Sequence, residues 1–249
     1  MTSSLPSVLA DNVRLDQWLN FATPGQVEIA TGRVELGQGV LTAMAQIAAE
    51  ELDVDVVRIK VRSGDTDCTP NEGYTAGSQS MQAGGIALRQ ACAEARKLFL
   101  DDAARRLGCA AAELAVQDGR ILRNAAATSW DYWAQAQSVS LAIPATGTAA
   151  RKARAHYAIV GRNAARIDLP AKLFGNPTFV HDMTLDGIAG GSAGELARDL
   201  AHDLAHARVV RQPNRGATLV SIDEAAVRRA AHEPISFVRD ENFSGDRRR

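Results

Sequence analysis

The sequence predicts an α+β fold, and three observations carry that prediction. Short β-prone runs alternate with strong helical stripes in the first half. A sharp hairpin signal follows them, and the second half turns β-rich. The expected architecture is a mixed sheet with packed helices, then a second, β-rich domain, the two joined near residue 150. At 249 residues, with 46% hydrophobic and 23% charged residues, the chain has globular composition and can bury a sizeable core.

The elements follow in order. Val27-Glu28-Ile29-Ala30-Thr31 begins a strand expected to run to Val34, and Gly37-Gln38-Gly39 breaks it. From Val40, apolar residues recur at Leu41, Met44, Ile47, Ala48 and Leu52, a helical stripe. Val57-Arg58-Ile59-Lys60-Val61 alternates as a half-buried strand does. Residues 63–85 are polar and turn-rich. A long helix is then expected from Ile86 to Leu107, with Leu88, Ala91, Cys92, Ala95, Leu98 and Phe99 on one side. A short alanine-rich helix precedes the hairpin Val116–Ile121, whose turn is Asp118-Gly119. Ser129 is placed to cap a short helix carrying Trp130, Tyr132 and Trp133. Small polar residues from 145 to 155 suggest a linker between two domains. Strands are expected around 178–180 and 217–220, with a helical stripe of Leu196, Leu200 and Leu204 between them.

Composition excludes several classes of function. The formal charge is −1, from 28 basic and 29 acidic residues, without the basic excess of a general nucleic-acid binder. No run of 18 apolar residues is present, so no membrane span is expected. The first residues lack the basic and then apolar regions of a signal peptide. Cys68, Cys92 and Cys109 are too widely spaced for a zinc knuckle or an iron–sulfur cluster. Their odd number fits a reducing compartment, and a cytoplasmic location is expected.

Several motifs carry chemical suggestions. Gly37-Gln38-Gly39-Val40-Leu41-Thr42 lies between a strand and a helix, where backbone N–H groups and the helix dipole receive anions. It is also a degenerate dinucleotide fingerprint, or a plain tight turn. The 63–85 stretch is long for a loop in a compact domain. Its Thr75, Ala76, Gly77, Ser78 and Ser80 are small, so a backbone and its hydroxyls can approach a ligand closely. Gly190-Gly191-Ser192-Ala193-Gly194 matches a nucleophile elbow, with Asp223 and His232 following in hydrolase order. Too little chain remains for the strands that carry such partners, and no oxyanion segment precedes it. His202 and His206 stand i, i+4 apart without the glutamate of a zinc-protease helix.

Three blocks in order, GRVELGQGVLTAMAQIAAEELDVD, VRIKV and TPNEGYTAGSQSMQAGGIALRQACAEAR, resemble the molybdopterin-binding large subunit of the xanthine dehydrogenase/aldehyde oxidase family. Within it, the branch of nicotinate dehydrogenase and isoquinoline 1-oxidoreductase β subunits looks most similar. VGRNAARIDLPAKLFGNPTFVHDM and HARVVRQPNRGATLVSIDEAAV are similar to that family's α/β hammerhead domain. The resemblance implies a molybdopterin-binding segment over 11–145 and a hammerhead segment over 156–243. It implies a molybdopterin cofactor, with the cytosine dinucleotide as one form, and oxidation of an N-heteroaromatic or aldehyde substrate with water as oxygen source. Gly37, Gln38 and Gly39 match the family's first cofactor loop; Thr75, Ala76, Gly77, Ser78 and Ser80 match its second. A 2Fe–2S small subunit, with a cytochrome or another acceptor beyond it, is the implied partner.

Departures from the family pattern matter as much. Its catalytic glutamate lies in a late Gly-Glu context that this sequence does not reach, and neither Glu35 nor Glu72 inherits that role. No catalytic residue or metal ligand is assigned. The 188–203 interruption, His232-Glu233-Pro234 and the SGDRRR ending depart from the hammerhead pattern. They look like a truncated or frame-altered reading of a longer gene. The chain alone is therefore expected to be inactive, with exposed apolar surface where a remainder docks. The alternatives are a non-catalytic assembly module that binds an iron–sulfur partner and, remotely, a serine hydrolase using Ser192.

Overall fold

A computed structural model describes residues 5–176, 219–231 and 235–237. The chain forms two compact units, Met1–Thr178 and Phe179–Arg249.

The first unit begins with α1 (Ser7–Asp11) and a mixed three-stranded sheet of β1 (Leu19–Asn20), β2 (Val27–Thr31) and β3 (Ile59–Ser63), in that order. β1 and β2 are antiparallel. β2 and β3 are parallel, with Val27 opposite Ile59 and Thr31 opposite Ser63. Parallel neighbours need a crossover, and α2 (Val40–Leu52) supplies it. β2 buries Val27, Ile29 and Thr31 alternately and stops there, three residues short of the expected Val34. β3 begins two residues late. The Asp55 side chain accepts from the Val57 N–H and closes a 3₁₀ turn over Val56–Arg58, which leaves Val57 86% exposed.

α3 (Ile86–Leu107) has the predicted bounds and ends on Gly108 in the left-handed region, which releases the chain without a Cβ penalty. Its Ala87, Ala91, Cys92 and Ala95 are buried beside the Ala45, Ala48 and Ala49 of α2. Alanines on both helices keep the packed pair close. Phe21, Phe99 and Tyr132 form an aromatic cluster with centroids 4.9–5.6 Å apart. Burial pushes the Cys92 thiol well up, so it is inert packing.

The predicted hairpin forms from β4 (Leu114–Gln117) and β5 (Arg120–Arg123). Asp118 and Gly119 both have positive φ (50° and 77°), the requirement of a two-residue turn matched to strand twist. The expected alanine-rich helix before it is only a 3₁₀ turn, Ala111–Glu113. Ser129 does not cap a helix, because it lies within β6 (Ala126–Asp131), the third strand of this antiparallel sheet. Asp131 caps α4 (Tyr132–Ala136) instead, accepting from the Ala134 N–H at 2.8 Å.

Residues 145–155 are no linker. Three buried glutamates on α2 and α3 bind this stretch and its continuation to the helices. Glu94 accepts from the Thr146 hydroxyl and the Ala149 N–H, and Glu51 from the Lys152 N–H. Glu50 accepts from Ala158, Ile159 and Val160 N–H at 2.7–3.0 Å. Lys152 Nζ bridges Glu50 and Asp53. The resulting strap leads to α5 (Leu169–Leu173).

Within the second unit, α6 (Glu224–Ala230) is capped by the Asp223 side chain. Leu219 and Val220, from the strand expected at 217–220, lie outside regular structure and are exposed. The strand at 178–180, the Leu196/Leu200/Leu204 stripe, Ser192, His202, His206 and His232 lie outside the described residues. No described helix is long and apolar enough to cross a membrane.

Candidate functional site

The two stretches singled out by sequence, the turn at Gly37–Gly39 and the loop carrying Thr75–Ser80, follow β2 and β3, and the segments leading into them, 31–34 and 72–75, lie together. A buried ion pair joins them. Arg33 Nε donates to Glu72 Oε2 at 3.2 Å, with side-chain exposures of 2% and 0%. Glu72 Oε1 also accepts from the Thr31 hydroxyl at 2.5 Å and the Gly32 N–H at 2.8 Å. Arg33 Nη1 donates to the Tyr74 carbonyl, and the Val34 N–H donates to Thr75 Oγ1 at 3.0 Å. The Asn12 amide holds the same loop from α1, bonding both the N–H and the carbonyl of Asn71.

Two glycines make room for this clamp. A Cβ on Gly84 would lie 2.2 Å from Glu72 Oε2, and one on Gly32 would lie 2.4 Å from the Pro70 carbonyl. Those distances are far inside contact, so each position needs glycine. Gly84 sits in a π-helical turn, Ser80–Gly85, that leads into α3. Such turns widen a helix start and recur at functional sites.

The Gly37-Gln38-Gly39 turn does receive an anion, and that anion is the chain's own. Glu35 Oε1 accepts from the Gly37 and Gly39 N–H groups, both at 2.8 Å, and Glu35 Oε2 accepts from Leu41 N–H at 3.4 Å. The carboxylate therefore sits at the N-terminus of α2, where the helix dipole favours negative charge. Gln38 folds back onto its loop, with Oε1 accepting from Leu36 N–H and Nε2 donating to the Val34 carbonyl. Arg166, from the end of the strap, donates to the Gly37 carbonyl at 3.0 Å. Bidentate hydrogen bonds from Arg166, together with Lys172, hold the Asp168 carboxyl well below the usual carboxylate range.

The second loop is less self-satisfied. Gly77 and Ser78 take positive φ (62° and 59°); for serine that is strained backbone. Among the described residues, the N–H groups of Gly77 and Ser78 and the hydroxyls of Ser78 and Ser80 have no partner within the chain. Ala76, Gly77 and Ser78 are exposed. Leu36 (67% exposed) and Tyr74 (93%), one beside each stretch, are exposed apolar side chains. Sequence reasoning missed Arg33 and Arg166. An arginine inside an apolar strand end was the available signal for Arg33; Arg166 gave none. No cluster of metal-ligating side chains occurs among the described residues.

Comparison with known proteins shows the class. The molybdopterin cofactor-binding domain family matches residues 7–181, and the chain belongs to that family, within the xanthine dehydrogenase/aldehyde oxidase group resembled by its motifs. More particularly, it is 35% identical over 219 residues to a subunit of the nicotinate dehydrogenase of Pseudomonas putida, across 84% of this chain and 17% of that protein. It is 30% identical over 224 residues to the isoquinoline 1-oxidoreductase β subunit of Brevundimonas diminuta, across 74% of this chain and 28% of that one. The chain thus spans under a third of the length of these curated relatives. A CO dehydrogenase chain from Oligotropha carboxidovorans superposes over 54% of this chain and 16% of its own length, with 24% identity and a TM-score of 0.42.

Proposed function

We propose that the first unit is a cofactor-holding segment of a molybdenum hydroxylase large subunit that oxidises an N-heteroaromatic or aldehyde substrate. The observation that carries this reading is the pair of small-residue loops clamped by Arg33 and Glu72, one of them with unpaired donors. Those donors fit a pyranopterin and its phosphates: Gly77 and Ser78 offer N–H groups, and Ser78 and Ser80 offer hydroxyls. Thr75 and Ala76 keep the loop slim enough for close approach. Gly37 and Gly39 contribute shape alone, since their N–H groups are occupied by Glu35. Gln38 contributes its amide, each polar atom of which retains capacity for a second hydrogen bond.

When bound, the molybdenum cofactor, molybdopterin with its metal, would supply the redox-active centre for hydroxylation. The residues of this chain bind and orient it. Among the described residues, Glu35, Glu50, Glu51, Glu72 and Glu94 are committed to internal hydrogen bonds, and none of these five is assigned to proton transfer. On this reading the chain alone is a binding module without turnover. In the full assembly a 2Fe–2S small subunit would take the electrons, a cytochrome or another acceptor would follow, and the location would be cytoplasmic. The cytosine dinucleotide form of the cofactor and the hammerhead assignment of 156–243 belong to the same proposal.

The test is molybdenum and released pterin in protein purified from a cofactor-competent host. Retention of both, without oxidation of nicotinate or an aldehyde, supports the reading. Folded protein free of metal and pterin overturns it.

A further inference from the structure

We propose that Glu35 and Arg166 are a coupled pair of positioning residues for Gln38, through which the strap at 145–168 sets the geometry of the first cofactor loop. The peptide units on both sides of Gln38 are pinned from outside the turn. Glu35 Oε1 takes the N–H groups of Gly37 and Gly39, each at 2.8 Å. Arg166 Nη1 takes the Gly37 carbonyl at 3.0 Å, and Arg166 Nη2 lies 3.7 Å from Glu35 Oε1. A Cβ on Gly39 would stand 3.7 Å from Arg166 Nε, so guanidinium and turn are in contact.

The turn needs such pinning, because two glycines at φ 101° and 79° flank Gln38 and glycine restrains its neighbours least. Glu35 is well placed to act, since its side chain is only 8% exposed and its charge is opposed by Arg166 at 33%. Arg166 is itself held: Asp168 grips its other edge with bonds of 3.0 and 2.6 Å, and the Ile167 N–H donates to Thr42 Oγ1 of α2. Upstream, Glu50 binds three successive strap N–H groups, and Gln46 donates to the Ile159 and Arg162 carbonyls. The path from α2 through the strap to Gln38 is thus continuous. The part of this inference that concerns cofactor rests on the reading in the previous section.

The experiment is residue-resolved amide hydrogen exchange at Gly37 and Gly39 in the full chain, for wild type, Glu35→Ala, Arg166→Ala and the double variant. Circular dichroism and melting temperature control for folding. Wild-type exchange should be slow although Gly37 is exposed. Glu35→Ala should raise it about tenfold or more, as expected for loss of hydrogen bonds to a charged acceptor. Arg166→Ala should raise it about threefold, Arg166→Lys should restore part of that protection, and the double variant should match Glu35→Ala alone, because coupled residues are not additive. Exchange at the intrinsic rate in wild type, or effects that multiply in the double variant, would overturn the proposal. Should Glu35→Ala fail to fold, the wild-type rate and the Arg166 pair still decide it. Pterin content is read on the same samples: wild type without pterin refutes the functional reading and leaves the exchange result standing. Wild type with pterin that Arg166→Ala retains undiminished refutes control by the strap.

Discussion

Replacing Arg33 with alanine removes the cation facing a carboxylate with no exposed surface, and the structure sets the size of the penalty. Glu72 would keep the Thr31 hydroxyl and the Gly32 N–H but lose the 3.2 Å contact from Arg33 Nε. Tyr74 would lose the donor on its carbonyl at the same time. Breaking a buried pair by deleting one partner costs roughly 3–5 kcal/mol, because the surviving charge stays desolvated. At about 2–4 °C per kcal/mol for a unit of this size, the melting temperature should fall by roughly 6–20 °C. Thermal unfolding followed by circular dichroism measures this. Glu72→Gln keeps an acceptor for Thr31 and Gly32 while removing the charge, so the Arg33→Ala/Glu72→Gln double variant should cost less than the two single changes summed. A fall below about 2 °C for Arg33→Ala, or strict additivity, would show that the two loops are not joined through this pair.

Gly84→Ala should destabilise without altering charge, since its Cβ would lie 2.2 Å from Glu72 Oε2; equal stability to wild type in a urea titration would contradict the clamp. The strap should loosen in acid. Burial pushes the Glu50 carboxyl up, but the N–H groups of Val160, Ile159 and Ala158, with Lys152, outweigh it and hold the carboxyl below its usual value. Glu94 behaves likewise: burial raises it, and the Thr146 hydroxyl, the Ala149 N–H and Gln90 bring it lower. A depressed folded value means stability that is present above the ordinary carboxylate range and lost as pH falls through the folded values. Strap amides at 158–160 should therefore lose exchange protection on acidification before those of α3, and simultaneous loss would sink that ordering. Tyr132→Phe should cost about 1 kcal/mol or slightly more by orphaning the Leu52 carbonyl. Burial pushes the Tyr132 hydroxyl well up, so it stays protonated and donating through neutral pH, and the cost should not change between pH 6 and pH 8.

Periodicity and turn chemistry made much of the first unit legible. The helix over 86–107 was readable because its stripe and Gly108 are local signals, and the hairpin because Asp118-Gly119 accepts two positive φ values. Both loops of the candidate site were visible as small-residue, glycine-rich stretches in family order. Where local signals competed, sequence misled. Val57 alternates as a strand residue does, but the Asp55 cap claims its N–H. Ser129 is a good helix cap on paper, but pairing with β5 took the chain through it and left the role to Asp131. The small residues of 145–155 look like a linker because alanine, threonine and glycine carry no obvious partner; their own backbone N–H groups donate to buried glutamates on α2 and α3, which composition does not reveal.

The sequence by itself determined the family, the long helix α3, the helix α2, the β4–β5 hairpin and the two loops, since each depends on residues close together in the chain. Only the tertiary structure decided what those loops can do. Contacts across dozens of residues join Arg33 to Glu72 and bring Arg166 to the Gly37 carbonyl. They also leave Gly77 and Ser78 with free N–H groups, while Glu35 consumes those of Gly37 and Gly39. A hydrogen-bond donor is available or spent according to what stands opposite it in space, and that is fixed only when the chain has folded.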